Sequence, residues 1–180
     1  SAIDELAQKA SVAPVAFRLQ HLSDPRSVAV VNKAAAEFGW PGKVSQPGQG
    51  YGFAFARYKN IMGYCAIAVE VQVQRQTGEV SIVRVVTAVD VGQVVSPDGL
   101  INQVQGGIVQ SSSWSLYEQV LYDKQGVHSS DWSGYPILRF PQMPLQVDVH
   151  IINQPGEPFL GAAEIVQGPM AAALGNAISH

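Results

Sequence analysis

The chain has 180 residues, 47% of them apolar and only 14% charged, with a net charge of -3. That length fits one domain with a real core, and the charge is low against about 25% in an ordinary soluble chain. Disorder, which goes with high charge and few apolar residues, and a basic nucleic-acid footprint are both excluded.

Residues 2–38 read as helices. Asp4 and Glu5 come early and Lys9 late, as the helix dipole favours. Pro14 suits a first helical position and is followed by Val15, Phe17, Leu19 and Leu22. Asp24-Pro25 is an N-cap followed by a proline at the first helical position. Val28, Val31 and Ala35 continue at helical spacing, and Gly39 is a stop. Pro41 to Gly50 reads as a loop. From Tyr51 the period falls to two. Phe53 and Phe55 alternate with Ala54 and Ala56. Val69, Val71 and Val73 alternate with Glu70, Gln72 and Gln74, which predicts a strand with one wet face. Thr77-Gly78 is a turn, and the β-branched run Val80 to Val89 completes a hairpin over 64–90.

Ser96-Pro97-Asp98 opens another helix, with Leu100, Val104 and Ile108 on one stripe. Its Gly106, Gly107, Ser111 and Ser112 would let another backbone come close. The charge-free run Gly99 to Tyr117 carries Asn102, three glutamines and four serines, too polar for a membrane span. Asp123 to Gly126 is a turn, Leu145 to Ile152 alternates as a strand, and Pro169 opens a last helix, Met170 to Ile178. The expected fold is α+β: N-terminal helices, an antiparallel hairpin and further strands packed with a central and a C-terminal helix. Residues 1–40 read as a helical segment and 41–180 as the α+β part.

One cysteine, Cys65, rules out an internal disulfide framework and a chain-contained iron–sulfur cluster. His21, His128, His150 and His180 lack ligand spacing, so no metal is expected on protein ligands. Gly48-Gln-Gly50-Tyr-Gly52 lacks the strand-before, helix-after context of a dinucleotide fingerprint and reads as a loop needing positive φ before a strand. The Ser111–Ser115 run lacks a nucleophile elbow and reads as small residues for helix packing, with a small hydrolase as the rival reading. Two carboxylates have apolar sequence neighbours. Asp90 ends an apolar strand and reads as an acceptor for loop N–H groups. Glu164, in Phe159-Leu-Gly-Ala-Ala-Glu-Ile-Val166, is expected to be desolvated, with its pKa moved toward the range of a general base. The bland alternative is a partly buried glutamate at the start of the last helix.

Several strings taken together carry a resemblance. They are Asp90-Val-Gly92, Val95-Ser-Pro97, Gln103-Val-Gln-Gly106-Gly-Ile-Val-Gln110, Leu116-Tyr-Glu118, Asp131-Trp-Ser-Gly-Tyr-Pro136-Ile-Leu-Arg139 and Pro155 to Glu164. In that order they resemble the molybdopterin-binding large subunit of the xanthine oxidase/aldehyde oxidase family. The branch most resembled contains the nicotinate dehydrogenase and isoquinoline 1-oxidoreductase large subunits. The likeness runs from Ile3 to Ile178. It implies hydroxylation of an aldehyde or N-heterocycle with water as oxygen source, a glutamate taking the proton, and electrons leaving through iron–sulfur clusters. With one cysteine, another subunit would have to hold those clusters.

The family's catalytic glutamate follows Gly-x-Gly and precedes Asn-Ala-Ile by about a dozen residues. Glu164 has that spacing to Asn176, so the catalytic role is carried to Glu164 and Glu157 is read as a loop residue. Gln103 matches the pterin-contacting glutamine, and an amide offers the donor and acceptor a pterin edge needs. Ala162 and Ala163 are carried over as cofactor-binding. Ala163 replaces the family's glycine. If that position needs positive φ, alanine would be strained, which favours a rival reading of a non-enzymatic assembly module.

The opening Ser1-Ala-Ile-Asp-Glu reads as a helix under way, without a signal peptide, and so as a piece of a longer polypeptide. The expected partners are the remainder of the large subunit, an iron–sulfur electron-transfer subunit and a small-molecule substrate, with no nucleic acid. The low charge then reflects surface that meets absent protein. The piece alone is expected to be inactive, to hold molybdopterin weakly or not at all, and to self-associate.

Overall fold

The computed structural model describes residues 1–40 and 44–179. The predicted loop from Pro41 therefore begins outside the described residues, and His180 also lies outside them. Helices α1 (Ala2–Lys9), α2 (Pro14–His21) and α3 (Pro25–Phe38) come first. The Asp24 carboxylate accepts from the Arg26 N–H at 3.1 Å, Pro25 takes the first helical position, and Gly39 ends α3 at φ 75°. Strands β1 (Gln49–Arg57), β2 (Tyr64–Gln74) and β3 (Glu79–Asp90) follow as an antiparallel meander. Ser96 caps α4 (Pro97–Leu116) by accepting from the Gly99 N–H at 3.3 Å. A small ladder of β4 (Tyr122–Asp123) and β5 (Gly126–Val127) lies in the excursion after α4. Strand β6 (Gln146–Ile151) then pairs parallel to β3, and α5 (Gln167–Ser179) closes the fold. The main sheet has the order β1-β2-β3-β6. The predicted α+β class holds, with β6 making the sheet mixed.

Each face of the sheet carries a core. Val30, Val31, Ala34 and Phe38 of α3 pack on Phe53, Ala66, Ala68, Val86 and Ala88. The small alanines of β2 and β3 let α3 lie close. On the other face Cys65, Ile67, Val69, Val71, Val85 and Val89 meet Val104 and Ile108 of α4 and Met170, Ala173 and Leu174 of α5. Strand β2 is thus buried on both faces as far as Val69, and the one wet face expected from its alternation is limited to the stretch from Glu70 onward. The β2–β3 register steps from Glu70–Arg84 to Val71–Ile82, leaving Val83 as a bulge. The bulge keeps both Ile82 and Val85 on the α4/α5 face.

Helix α5 lies directly on β1. A Cβ at Gly50 would collide with the Ala177 carbonyl oxygen, and one at Gly52 with that of Ala173. Within the glycine cluster only Gly48 meets the expectation of positive φ, at 81°. Gly50 and Gly52 are strand residues whose missing side chains admit a helix backbone. Asn176 fixes the same contact by donating to the Phe53 carbonyl at 2.9 Å and to Asp4 at 2.6 Å. Arg18 donates to that carbonyl at 3.0 Å and to Asp4 at 2.7 Å. One polar knot therefore ties α1 and α2 to β1 and α5. Among the described residues no helix is long and apolar enough to cross a membrane.

Gly52→Ala is expected to destabilise the fold by about 2–4 kcal/mol, since α5 would have to lift off β1. Gly106→Ala, whose Cβ would meet nothing within 4 Å, is expected to stabilise by roughly 0.5–1 kcal/mol. Urea unfolding of the two variants checks this, and equal effects would contradict the packing argument.

Candidate functional site

The expected site residues gather at the end of the sheet where β1 and β3 finish and β2 begins. Asp90 organises that end. Its buried carboxylate is paired with the Arg26 guanidinium, through Nε at 2.9 Å and through a second short contact from the same group. It also accepts from the Gly92 N–H at 2.9 Å and the Gln154 amide at 3.2 Å. Burial pushes its pKa up, but Arg26, Gly92 and Gln154 together hold it below the ordinary value of 3.8. The reading as a loop N–H acceptor holds, and the ion pair to α3 adds to it. Gly92 has φ 75°, and a Cβ there would strike the Pro158 carbonyl oxygen. The chain that returns after β6 can therefore lie on the 90–94 turn. Gln154 N–H donates to the Gly92 carbonyl at 3.1 Å, Leu160 N–H to Val91 at 2.7 Å, and Val94 N–H to the Asn153 side chain at 3.0 Å. Two strings far apart in sequence, Asp90–Gly92 and Pro155–Glu164, are stitched together.

Glu157 lies in the turn of this returning segment, next to Gly156 at φ 88°. Ala162 is half-buried and packs on the core of α4 and α5. Ala163 and Glu164 are exposed, in a turn that runs into α5. The expected desolvation of Glu164 is not found among the described residues. Its neighbours Ile165 and Val166 point into the core while the carboxylate points out, because a tight turn, unlike a strand, puts consecutive side chains in different surroundings. The non-glycine residues with positive φ are Ser11, Lys59 and Asn60 among those described. Ala163 is not one of them, so alanine stands there without backbone strain.

Gln103 and Ala163 meet: the Gln103 side-chain amide donates to the Ala163 carbonyl at 2.7 Å. One helical turn on, Gly106 leaves open space, and after it Gln110 accepts from the Gln167 amide at 3.0 Å. An exposed strip of α4 thus carries two carboxamides with a bare backbone between them, alongside the Ala163–Gln167 turn. An open apolar cleft of about 300 Å³ adjoins it, lined in part by Val91, Val95, Leu100, Phe159 and Ala162 with Gln103 at one side. Tyr58, just past the end of β1, donates its hydroxyl to Glu164 Oε2. No sequence pattern flagged Tyr58, because 106 residues separate the partners.

The serine run does other work. Ser111 and Ser112 are buried, and their hydroxyls donate to the Gln167 and Ile108 carbonyls at 2.8 and 2.7 Å. Ser113 accepts from the Leu138 N–H at 3.0 Å, and Glu118 accepts from Tyr135 at 2.8 Å, which anchors the excursion after α4. Ser111 and Ser112 are packing groups, as expected, and Ser113 is in addition an anchor. Burial pushes the Cys65 thiol up to about 12, so it is protonated at neutral pH.

Residues 3–144 match the molybdopterin cofactor-binding domain family. The chain belongs to that family. It is 41% identical to a nicotinate dehydrogenase component of Pseudomonas putida, over 99% of this chain and 16% of that protein. It is 35% identical to an isoquinoline 1-oxidoreductase component of Brevundimonas diminuta, over 100% of this chain and 23% of that protein. The chain thus spans less than a quarter of either relative. Among solved structures, the Cu,Mo-CO dehydrogenase aligns with a TM-score of 0.58 at 20% identity, over 65% of this chain and 15% of that one. The aldehyde oxidoreductase of Desulfovibrio gigas aligns with a TM-score of 0.56 at 24% identity, over 65% and 13%. These two show a shared fold. The resemblance read from the ordered motifs is borne out.

Asp90→Asn is expected to cost about 2–3 kcal/mol at neutral pH by leaving Arg26 without its charge partner. The folded pKa lies below the unfolded one, so the carboxylate's contribution is fully present above 3.8 and fades as pH falls through the folded value. The stability gap between wild type and variant should therefore shrink in acid. A gap constant from pH 7 to pH 2 would contradict the ion pair.

Proposed function

We propose that the chain forms one wall of the molybdopterin site in a molybdenum hydroxylase that oxidises an aldehyde or an N-heterocycle. Glu164 is the catalytic base, and Gln103, Ala162 and Ala163 line the cofactor. Residues 1–40 are the helical cover of this wall and 41–180 the α+β part that carries it. The observation that carries the reading is the Gln103–Ala163 hydrogen bond, with the Glu164 carboxylate exposed on the next residue. It joins two of the strings that carry the resemblance. The donor set fits a pterin: the carboxamides of Gln103 and Gln110 supply donors and acceptors, and Gly106 leaves room for a flat group against the helix.

When bound, the molybdenum cofactor supplies the redox chemistry. This chain's residues supply position and a proton acceptor. Gln103 ties α4 to the turn that bears Glu164, so cofactor edge and base are held on one frame. Glu164 takes a proton on a carboxylate oxygen. An iron–sulfur subunit would receive the electrons, since the one cysteine of this chain cannot hold a cluster. The N-heterocycle is the favoured substrate class because the two relatives are named for nicotinate and isoquinoline. The unstrained Ala163 backbone removes the feature that favoured a non-enzymatic module.

The rest of a larger subunit covers this wall. Phe140 is 86% exposed, Leu145 82% and Trp132 71%, in the excursion between α4 and β6. Large apolar side chains are costly to leave in water, and the relatives extend well beyond the aligned region. The isolated chain therefore self-associates and holds molybdenum at far below one equivalent.

In the complete enzyme, Glu164→Gln should cut turnover by about a thousandfold or more with molybdenum content unchanged, while Glu157→Gln stays active. Gln103→Leu should lower molybdenum content. Turnover and metal analysis of the three variants test the assignment, and an inactive Glu157→Gln beside an active Glu164→Gln would reverse it. Stoichiometric molybdenum on the isolated chain would contradict the one-wall reading.

A further inference from the structure

We propose that Tyr58 is a positioning residue that holds the Glu164 carboxylate in place for proton transfer, an assignment that rests on the reading of Glu164 as the base. An exposed glutamate is free about several torsions, and a base that must meet one proton in one geometry loses rate when it wanders. The Tyr58 hydroxyl donates to Glu164 Oε2. Among the described residues Oε1 has no partner, so one oxygen is held while the other is available to accept.

Both ends of this hydrogen bond stand on backbone fixed to the same core. Tyr58 begins a short turn between β1 and β2. Its N–H donates to the Gly63 carbonyl at 2.9 Å, and its carbonyl accepts from the Met62 N–H at 2.9 Å. Lys59 and Asn60 within the turn have φ of 50° and 61°. Two consecutive non-glycine residues in the left-handed region are strained, and such strain persists only where surroundings over-determine the conformation. Lys59 and Asn60 are themselves exposed, and the turn is held at its closing end, Met62 and Gly63, by the segment that bears Glu164. The Met62 side chain lies against Gly161, and Gly63 is flanked by Ile165, Val91 and the Gly161 carbonyl. The Tyr58 ring packs on the core shared by α4 and α5, and the Lys59 ammonium lies 5.4 Å from its centroid. A strained turn packed against the segment that carries the base, with its one hydroxyl on that base, is more than a chance surface contact requires. The Glu164 hydrogen bond, with a smaller effect of burial, raises the phenol above its ordinary value of 10.0, so it remains a donor at neutral pH.

Two measurements test this. Carbon-13 NMR of the chain labelled at tyrosine Cζ, with the Tyr58 signal assigned by its loss in Tyr58→Phe, should show Tyr58 titrating above 10.0. Glu164→Ala should bring that titration down toward the ordinary value. A titration indifferent to Glu164→Ala overturns the proposal whatever the enzyme does. In the complete enzyme, Tyr58→Phe should lower kcat roughly tenfold with KM and molybdenum content unchanged. In a Glu164→Asp background, where the shorter side chain no longer reaches the hydroxyl, it should cost less than about twofold. Undiminished kcat, or an equal loss in both backgrounds, overturns the positioning role. Surviving turnover in Glu164→Gln overturns the base assignment and the positioning role with it. Lost turnover in Glu164→Gln beside undiminished Tyr58→Phe overturns the positioning role alone.

Discussion

The backbone of α5 rests on the backbone of β1, and this contact sets where the candidate base can be. Gly50 and Gly52 carry no side chain, so the carbonyls of Ala173 and Ala177 occupy the space a Cβ would need. Such an approach tolerates little sliding, because atoms at van der Waals contact cannot be compressed without cost. Asn176 fixes the register by bonding the Phe53 carbonyl on the next strand residue. With α5 placed in this way, the turn that leads into it is placed too. Ile165 and Val166 enter the core, and Glu164 must emerge between α4 and the start of β2.

The few charges are used to join layers. Arg26 of α3 meets Asp90 at the end of β3, and Arg18 of α2 meets Asp4 of α1 above β1. Asp90 and Arg18 are both buried. Buried charges are tolerated only when paired and hydrogen-bonded, and both pairs carry further bonds to backbone carbonyls, amides or carboxamides. Their value lies as much in specificity as in stability. The Arg26–Asp90 pair fixes how α3 crosses the sheet end, and through Gly92 the same carboxylate shapes the turn onto which the Pro155–Leu160 segment is laced. A chain with 14% charged residues that buries Arg18 and Asp90 and half-buries their partners Asp4 and Arg26 has less charge left for its surface. That is the physical counterpart of the exposed Trp132, Phe140 and Leu145.

Local signals in the sequence were enough for the elements and some of their ends. The Asp24-Pro25 and Ser96-Pro97 caps, the Gly39 stop and the Thr77-Gly78 hairpin turn each depend on neighbouring residues, and each stands where its pattern put it. The parallel pairing of β6 was not legible, because register across a crossover is decided by distant partners. Gly50 and Gly52 carry a loop signature for the same reason: what requires a missing Cβ there is a helix more than a hundred residues later. The candidate site divides along the same line. The Gln103 and Glu164 assignments came from ordered motifs, and the structure brings Gln103 against Ala163. The surroundings of Glu164 differ from those its sequence suggests, because apolar sequence neighbours imply an apolar setting only where side chains share a face. Tyr58 carried no local signal at all.

What remains open around Glu164 is one side. The 90–94 turn supports its segment from behind through backbone hydrogen bonds. Tyr58 and Met62 close the flank toward β1, and the core beneath holds Ile165 and Val166. The free side is the one that also bears Gln103, Gly106 and Gln110, where polar side chains alternate with bare backbone and the adjoining cleft is apolar. A carboxylate exposed on such a face is well solvated. Covering that face with a flat cofactor and with further protein would remove the water while leaving the hydrogen bond from Tyr58 intact. The desolvation missing from this chain is therefore what an added layer would bring. The wall fixes where the carboxylate stands, and whatever packs against it decides how much water reaches it.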